Sequence, residues 1–514
     1  MALLSRIGDT PIAPEVIRLV PARLASHYGL VPLRLEGRRL IVAATERCDG
    51  QALDDLRSLL GYDIVPVMVE RQEIDEAIRA HYGVGADTVE QLLAAPGLTA
   101  EPSRASERPD DLERMAGEAS VITFVNQLIL QAYRDRATDI HIEPFAEELR
   151  VRFRIDGWLH PVSVPPTIRR FQPAILSRLK IMAQLDIGER RLPQDGRIKL
   201  HVGGQELDLR MSVLPTPHGE TVDLRLLSGA LLYSLDGLGF SPFHLTLLQR
   251  LIRQPHGILF VTGPTGSGKT TTLYACLHRL NTAHRKILTI EDPIEYLLTG
   301  ITQMQVHPKI GFTFAQGLRC MLRHDPDVMM VGEVRDPETA EITIRSALTG
   351  HLVLSTLHTH DAAGGVTRLL DMGVEPYLVA SSVRCFIAQR LVRLICRECR
   401  EPAALPPSLA EEAAAATGGQ ITAAVFHGRG CERCKSTGYQ GRTALYEFLP
   451  VTDELRHVVL RRAPSSEVKR LAVEQGMRTL RQDGWRKVLE GLTTPSEVAR
   501  VASSSATTLD DAAG

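Results

Sequence analysis

Gly263-Pro-Thr-Gly-Ser-Gly-Lys-Thr270 fits the Gly-x4-Gly-Lys-Ser/Thr pattern, and its neighbours decide how it folds. The apolar run Gly257-Ile-Leu-Phe-Val261 precedes it, and the helix-like Thr271-Thr-Leu-Tyr-Ala-Cys-Leu-His-Arg-Leu280 follows. Strand, loop and helix in that order are the context a phosphate loop requires. Glycines let the backbone wrap closely around phosphate oxygens, while successive N–H groups and the helix N-terminus supply positive potential. The candidate nucleotide ligands are Gly263, Pro264, Thr265, Gly266, Ser267, Gly268, Lys269, Thr270 and Thr271. Lys269 would reach the β and γ phosphates of ATP, and Thr270 would offer its hydroxyl to Mg²⁺. A glycine-rich turn that fits by chance is the competing reading, against which both flanking elements weigh.

Short apolar runs continue on both sides, as expected of an α/β domain with a parallel sheet wrapped by helices, a RecA-like P-loop ATPase domain over 231–395. Lys286-Ile-Leu-Thr-Ile290 reads as a buried strand ending in Glu291-Asp-Pro-Ile-Glu295. Acidic residues at the C-terminal end of a strand are where such sheets place their chemistry, which makes Glu291 a catalytic candidate. The next strand, Asp327-Val-Met-Met-Val331, ends in Gly332-Glu-Val-Arg-Asp336. Gly332 stands where an aspartate is more usual, so Glu333 takes the base role and Mg²⁺ leans on Thr270, waters and the 291–295 acids. His351 and His358 frame a further strand, His351-Leu-Val-Leu-Ser355. An ordinary structural role and a phosphate-positioning role are both open for them, since imidazole can donate to a phosphate oxygen.

At 514 residues the chain exceeds one core, and about three domains are expected. Hydrophobic residues make up 44% and charged residues 23%, with a net charge of -2. That balance lacks the basic excess of a nucleic-acid binder. No apolar run approaches the roughly 20 residues of a membrane span, and Met1-Ala-Leu-Leu-Ser-Arg-Ile-Gly-Asp9 lacks the apolar core of a secretory signal, so a cytoplasmic location is expected.

Residues 1–83 read as a small α/β docking module, with a strand pair turning at Glu36-Gly37, or as a purely structural cap. Residues 84–117 shift to Ala, Pro, Gly, Ser and Glu without periodicity and read as a flexible linker. Over 118–230 a PAS-like α+β domain is expected. It opens on a helix with Val121, Phe124, Val125, Leu128 and Ala132 at helical spacing. Strict alternation in Leu149-Arg-Val-Arg-Phe-Arg-Ile155 then puts Arg150, Arg152 and Arg154 on one face. A second strand pair turns at Gly203-Gly204 with Arg210 facing out, and Val222-Asp-Leu-Arg-Leu226 places Arg225 outward. These arginines are either a solvated sheet face or ligands of a γ-phosphate, for which bidentate guanidinium contacts are suited. The polar, turn-rich Arg190-Arg-Leu-Pro-Gln-Asp-Gly-Arg197 fits either role.

Of eight cysteines, four form Cys396-x-x-Cys399 and Cys431-x-x-Cys434, separated by 31 residues. In a reducing compartment that spacing favours a structural Zn²⁺ in a four-cysteine module over 396–440, with two loose thiol pairs as the alternative. A helical domain over 441–500 and a disordered tail over 501–514 complete the expected order.

Taken together, the phosphate loop, Glu291-Asp-Pro-Ile-Glu-Tyr296, Asp325-Pro-Asp-Val-Met-Met-Val-Gly-Glu-Val-Arg-Asp336, Thr349-Gly-His-Leu-Val-Leu-Ser-Thr-Leu-His-Thr359 and the two cysteine pairs resemble the secretion ATPases of the type II system, the general secretory pathway protein E family. The resemblance runs from about 119 to 495 and more weakly over 11–83. It implies a hexamer that hydrolyses ATP at the inner face of the bacterial inner membrane and drives a pseudopilus that exports folded proteins. It also implies partners: a cytoplasmic domain of an inner-membrane protein on the N-terminal module, and a membrane platform protein. The family's acidic box falls on Glu291, Asp292 and Glu295, its catalytic glutamate on Glu333, its histidine box on His351 and His358, and its inter-domain arginines on Arg210 and Arg225. Two departures are Asp223, where an apolar residue is commoner, and His360, where Asn is commoner. The type IV pilus assembly ATPases share every box; the single short N-terminal module favours secretion over them. Pilus retraction ATPases lack the paired cysteines. From other classes, a hexameric nucleic-acid translocase would need a basic channel, and a nucleotide-dependent scaffold would bind ATP without turning it over.

Overall fold

The structure, a computed structural model, describes residues 12–45, 48–94, 118–202, 205–227, 234–419 and 424–502. It divides into two compact units, Met1–Gly229 and Ala230–Gly514. The Gly203-Gly204 turn and the tail from 503 lie outside the described residues.

The first unit holds two small sheets. Leu30–Glu36 and Arg39–Ala44 pair antiparallel around Gly37, whose φ of 63° suits a residue without Cβ, and Asp63–Met68 adds a parallel third strand. The helices Ala22–Tyr28, Gly50–Leu60 and Arg71–Tyr82 accompany this sheet. The second sheet has six antiparallel strands, ordered Trp158–Pro161, Leu149–Ile155, Asp139–Pro144, Gly219–Leu227, Gln205–Thr216 and Gln194–Val202. Its apolar face, including Leu149, Val151, Phe153, Leu209, Met211 and Leu224, buries against the Ala119–Arg134 and Gln172–Met182 helices. This is the PAS-like α+β layer, one sheet face packed and the other free for polar residues.

The linker expected from residue 84 does not begin there. Ala86–Ala94 is a helix, and its Val89 and Leu92, one turn apart, pack into the cluster of Phe124, Val125 and Leu128. On another side Glu90 accepts from the N–H groups of Ala22 and Arg23, both at 2.9 Å, the uncapped start of the Ala22–Tyr28 helix. Composition hid this element because it is short and was read together with the Pro-, Gly- and Ser-containing stretch that follows it. The rest of the expected linker, 95–117, lies outside the described residues.

The second unit is built on a seven-stranded sheet ordered Thr302–Gln305, Ile287–Glu291, Val328–Val331, Leu352–Leu357, Gly257–Thr262, Val383–Ile395 and Tyr439–Pro450. The first six run parallel and the seventh antiparallel. Their near-continuous apolar character reflects burial on both faces. The seventh strand corrects the expected boundary at 441: Tyr439–Pro450 belongs to the nucleotide sheet, with Ala444, Tyr446 and Phe448 buried on one face and Leu445 and Leu449 on the other. The cysteine module is therefore an insertion at the end of a long antiparallel ribbon. Only the helices Asp453–Leu460, Ser465–Glu474, Leu480–Leu489 and Pro495–Ala502 form the helical remainder.

A buried charge fixes that remainder to the sheet. Lys487 is fully buried, donates to the carbonyls of Gly239 at 2.7 Å and of Ala444, and lies 3.6 Å from Asp483. Asp483 in turn accepts the Tyr446 N–H at 3.0 Å. Removing one partner of a buried pair leaves the other uncompensated. Lys487→Met is expected to lower unfolding free energy by about 3 kcal/mol in urea titration, although it removes nothing from the phosphate loop.

Candidate active site

Parallel strands bring their C-terminal ends to one edge, and the register fixes which residues meet there. Thr262 pairs with Leu357, Glu291 closes its strand, and Gly332 and Glu333 follow Val331. The phosphate loop, Glu333 and His358 thus share the edge. Glu333, 9 % exposed, is paired by Arg335 Nη2 at 2.7 Å and by His358 Nε2 at 3.2 Å.

The loop itself has the chemistry of an anion cradle. Gly263, Gly266 and Gly268 all take positive φ, and a Cβ on Gly263 would lie 2.5 Å from Ser267 Oγ. Ser267 Oγ is buried without a hydrogen-bond partner, an oxygen that a phosphate group would satisfy. Lys269 Nζ donates to the carbonyls of Gly263 at 2.9 Å and Pro264 at 3.0 Å, so the ammonium is held inside its own loop. Lys269 and Thr270 open the Lys269–Leu280 helix, whose unsatisfied N–H groups and dipole face the same loop. On the following turn Thr272 donates to Gln389 Oε1 at 2.8 Å, which ties the helix to the Val383–Ile395 strand.

Glu291 is at the edge but turned into the fold. Its carboxylate is 3 % exposed and accepts from Tyr274 Oη on the phosphate-loop helix, from Thr289 Oγ1 at 2.5 Å and from Gln303 Nε2 at 3.0 Å. Burial first, and the Glu291 carboxylate second, push the Tyr274 hydroxyl well above its ordinary pKa, which keeps it a donor. Glu291 thereby braces the helix through neutral donors.

His351 corrects the expectation that both histidines serve one site. It precedes Leu352–Leu357 while His358 follows it, so the two are separated by the length of a six-residue strand, roughly 20 Å at the rise of a β-strand. His351 Nδ1 bonds Ser346 O at 2.9 Å and Thr349 Oγ1 at 3.1 Å, and its carbonyl accepts from Gly257 at the start of the neighbouring strand. It closes the helix-to-strand turn on the far edge, whereas His358 reaches Glu333.

In the first unit, Arg210 and Arg225 are directly opposite one another, and the row extends beyond them. Arg154 faces Asp139, Asp139 faces Arg225, Arg225 faces Arg210 and Arg210 faces Arg197. Arg225 Nε reaches Asp139 at 2.9 Å, and Arg197 Nε reaches Asp208 at 2.6 Å. Arg197 thus belongs to the Gln194–Val202 strand, where an irregular loop was expected. In the adjacent row Asp223 lies opposite His141 with 3.4 Å between Oδ1 and Nδ1, which accounts for an acid where an apolar residue is commoner.

The four thiols also converge. The Sγ atoms of Cys396, Cys399, Cys431 and Cys434 all lie within 4.8 Å of one another, so two separate thiol pairs are ruled out. Cys396–Cys431 and Cys399–Cys434 are 3.8 Å apart and Cys431–Cys434 3.7 Å. A tetrahedral Zn²⁺ with bonds of about 2.3 Å separates its sulfurs by about 3.8 Å, so the set fits that ion. Backbone N–H groups of Gly430, Cys431 and Gly438 point at the sulfurs from 3.2–3.3 Å, as suits thiolates. Gln389, Tyr274 and Arg335 were not singled out by sequence; the available signal for the first was a Gln-Arg pair following the apolar run Cys385-Phe-Ile-Ala388.

Burial lowers the Lys269 pKa to about 8, with the Glu333 carboxylate opposing and the Arg390 guanidinium assisting. Only the ammonium attracts phosphate, so loss of its proton weakens binding. Affinity for ATP, followed by calorimetry from pH 7 to 9.5, is expected to fall as pH rises through about 8; an ordinary lysine would keep it level to about pH 10.

Comparison with known proteins places this geometry. Residues 114–500 match the family described as Type II/IV secretion system protein, and residues 4–88 match the MshEN domain. The type II secretion system protein E of Xanthomonas campestris is 46% identical over 505 residues, covering 96% of this chain and 87% of that protein. The type IV pilus assembly ATPase PilB of Myxococcus xanthus is 45% identical over 496 residues, with the same two coverages. Among solved structures, the Legionella pneumophila ATPase DotB superposes with a TM-score of 0.56 at 23% identity, over 74% of this chain and 95% of that one, a likeness of fold. Because one match runs through the arginine-bearing sheet, the nucleotide sheet and the cysteine ribbon alike, the chain belongs to the type II/IV secretion system protein family and is an ATP-hydrolysing enzyme.

Proposed function

We propose that the chain is the ATPase of a type II secretion system, working as a hexamer that couples ATP hydrolysis to pseudopilus assembly and export of folded proteins. The observation that carries the enzymatic half is the Glu333 carboxylate, held by Arg335 and His358 on the same sheet edge as the phosphate loop. Lys269 and the loop N–H groups bind the β and γ phosphates, and Glu333 accepts the proton of the attacking water as the γ-phosphoryl group leaves ADP. Thr270 would hold Mg²⁺ through its hydroxyl, and the ion would supply neutralisation of phosphate charge. Arg210 and Arg225 add guanidinium charge toward nucleotide phosphates. His358 orients Glu333.

Zn²⁺ on the four cysteines is structural, because four thiolates leave no open position for chemistry. Among the described residues no helix is long and apolar enough to cross a membrane. We assign association with the inner membrane from the cytoplasmic side to the N-terminal module, which matches the MshEN domain, docked on the cytoplasmic domain of an inner-membrane protein, with a platform protein as second partner. The pilus assembly ATPase is the second reading, favoured by the 45% identity to PilB. The nucleic-acid translocase has no such support, given the net charge of -2.

Hydrolysis is expected to rise on adding the cytoplasmic domain of a secretion-system inner-membrane partner, and stimulation only by a pilus partner would reassign the enzyme. In the same assay Glu333→Gln is expected to lose at least about 100-fold in kcat while still binding ATP; unchanged turnover would leave a nucleotide-dependent scaffold. Metal analysis of purified protein should find one zinc per chain, lost in Cys399→Ser together with thermal stability. Full zinc retention in that variant would exclude the four-thiolate site.

A further inference from the structure

In a strand, consecutive side chains point to opposite faces, and Gln389-Arg390 in Val383–Ile395 uses both. Gln389 holds the phosphate-loop helix through Thr272. Arg390, 8 % exposed, turns to the other face, where Nη2 donates to the His360 carbonyl at 2.6 Å and Nη1 to the Gln389 carbonyl at 2.9 Å. The Gln389 carbonyl abuts the start of the phosphate loop: a Cβ on Gly263 would lie 2.7 Å from that oxygen and 3.0 Å from Arg390 Nη1. One guanidinium therefore touches the main chain beside the first loop residue and the main chain two residues past His358.

The charge is placed with care for its cost. Glu447, 1 % exposed, and Asp361 are the negative groups acting on Arg390. Glu447 is itself fixed by the N–H groups of Ala362 at 2.9 Å and Leu480 at 3.2 Å, and Asp361 by Lys469 at 2.9 Å. A guanidinium offers donors in a rigid plane, so two carbonyls bound to it are fixed relative to one another; an ammonium imposes no such plane.

We propose that Arg390 is a positioning residue for hydrolysis: it fixes the loop carrying His358 against the phosphate loop, and so holds the Glu333–His358 pair in register with the terminal phosphate. The proposal rests on Glu333 being the base. A misplacement of about 1 Å at a reacting centre can cost on the order of 100-fold, so a tether of this kind acts on kcat more than on binding.

The test is a double-substitution cycle on the full chain. Arg390→Lys is expected to lower kcat about tenfold with the KM for ATP within about twofold. Combined with His358→Ala it should lose little beyond His358→Ala alone, because both act through one element. Unchanged kcat, a rise in KM at constant kcat, or losses that simply multiply would each overturn the tether, since an arginine that only packs gives additive effects. If Arg390→Lys melts below the assay temperature, Arg390→Gln replaces it with the same criteria. Glu333→Gln, assayed alongside, separates the two ideas: retained turnover there removes the base assignment, whereas its loss together with a neutral Arg390→Lys removes only the positioning role.

Discussion

Parallel alignment of the strands is the constraint from which the rest of the nucleotide unit follows. Because Gly257–Thr262, Val328–Val331 and Leu352–Leu357 all run the same way, the segments that leave them arrive at one edge. Each loop there can be short and polar, because the strands beneath are buried on both faces and supply the rigidity. A lysine pulled down in pKa by burial, a glutamate held by a guanidinium and an imidazole, and a glycine-lined cradle are then products of convergence. At the other end of the same strands His351 closes a turn.

Buried charges organise the remainder of that unit. Lys487 on the Gly239 and Ala444 carbonyls, Arg390 in the field of Glu447 and Asp361, and Glu497 with Arg393 at 2.8 Å each join elements far apart in sequence. Such groups are costly to bury, and their net contribution to stability is small. What they supply is uniqueness, since each satisfies specific main-chain donors or acceptors that no slipped packing would present. Glu497 shows how complete the compensation is: despite burial, its hydrogen bonds to Arg500 and Arg393 take its pKa down to about 2.

Much of this was legible in the sequence where the signal was local. The phosphate loop, the alternating arginine strands and the cysteine pairs carry their geometry in their spacing, and Arg210 and Arg225 fell on the polar face that period two assigns. What was lost was relational. Two histidines seven positions apart look like neighbours in a motif, yet an intervening strand separates them by its full length. Tyr439–Pro450 was hidden because its partner, Val383–Ile395, lies on the far side of the cysteine insertion, and pairing across so long a gap leaves no periodic mark. The Ala86–Ala94 helix was hidden because it is short and runs straight into the Pro-, Gly- and Ser-containing stretch after it, and Val89 and Leu92 mark its packed side.

The cysteine module gains a second meaning from that ribbon. Its thiols gather where Val383–Ile395 and Tyr439–Pro450 end, and the same two strands carry Gln389, Arg390 and Glu447. Ala388 lies opposite Glu447 and Arg390 opposite Leu445, so the ribbon's register decides which residues face the phosphate-loop helix and which face His360. A slip of one residue on Val383–Ile395 would exchange its two faces and put Gln389 where Arg390 must be. A metal ion on the four sulfurs at the ribbon's open end would disfavour such a slip, because it would bridge the two strands there. The cysteine cluster and the nucleotide edge are thus connected by strand geometry alone.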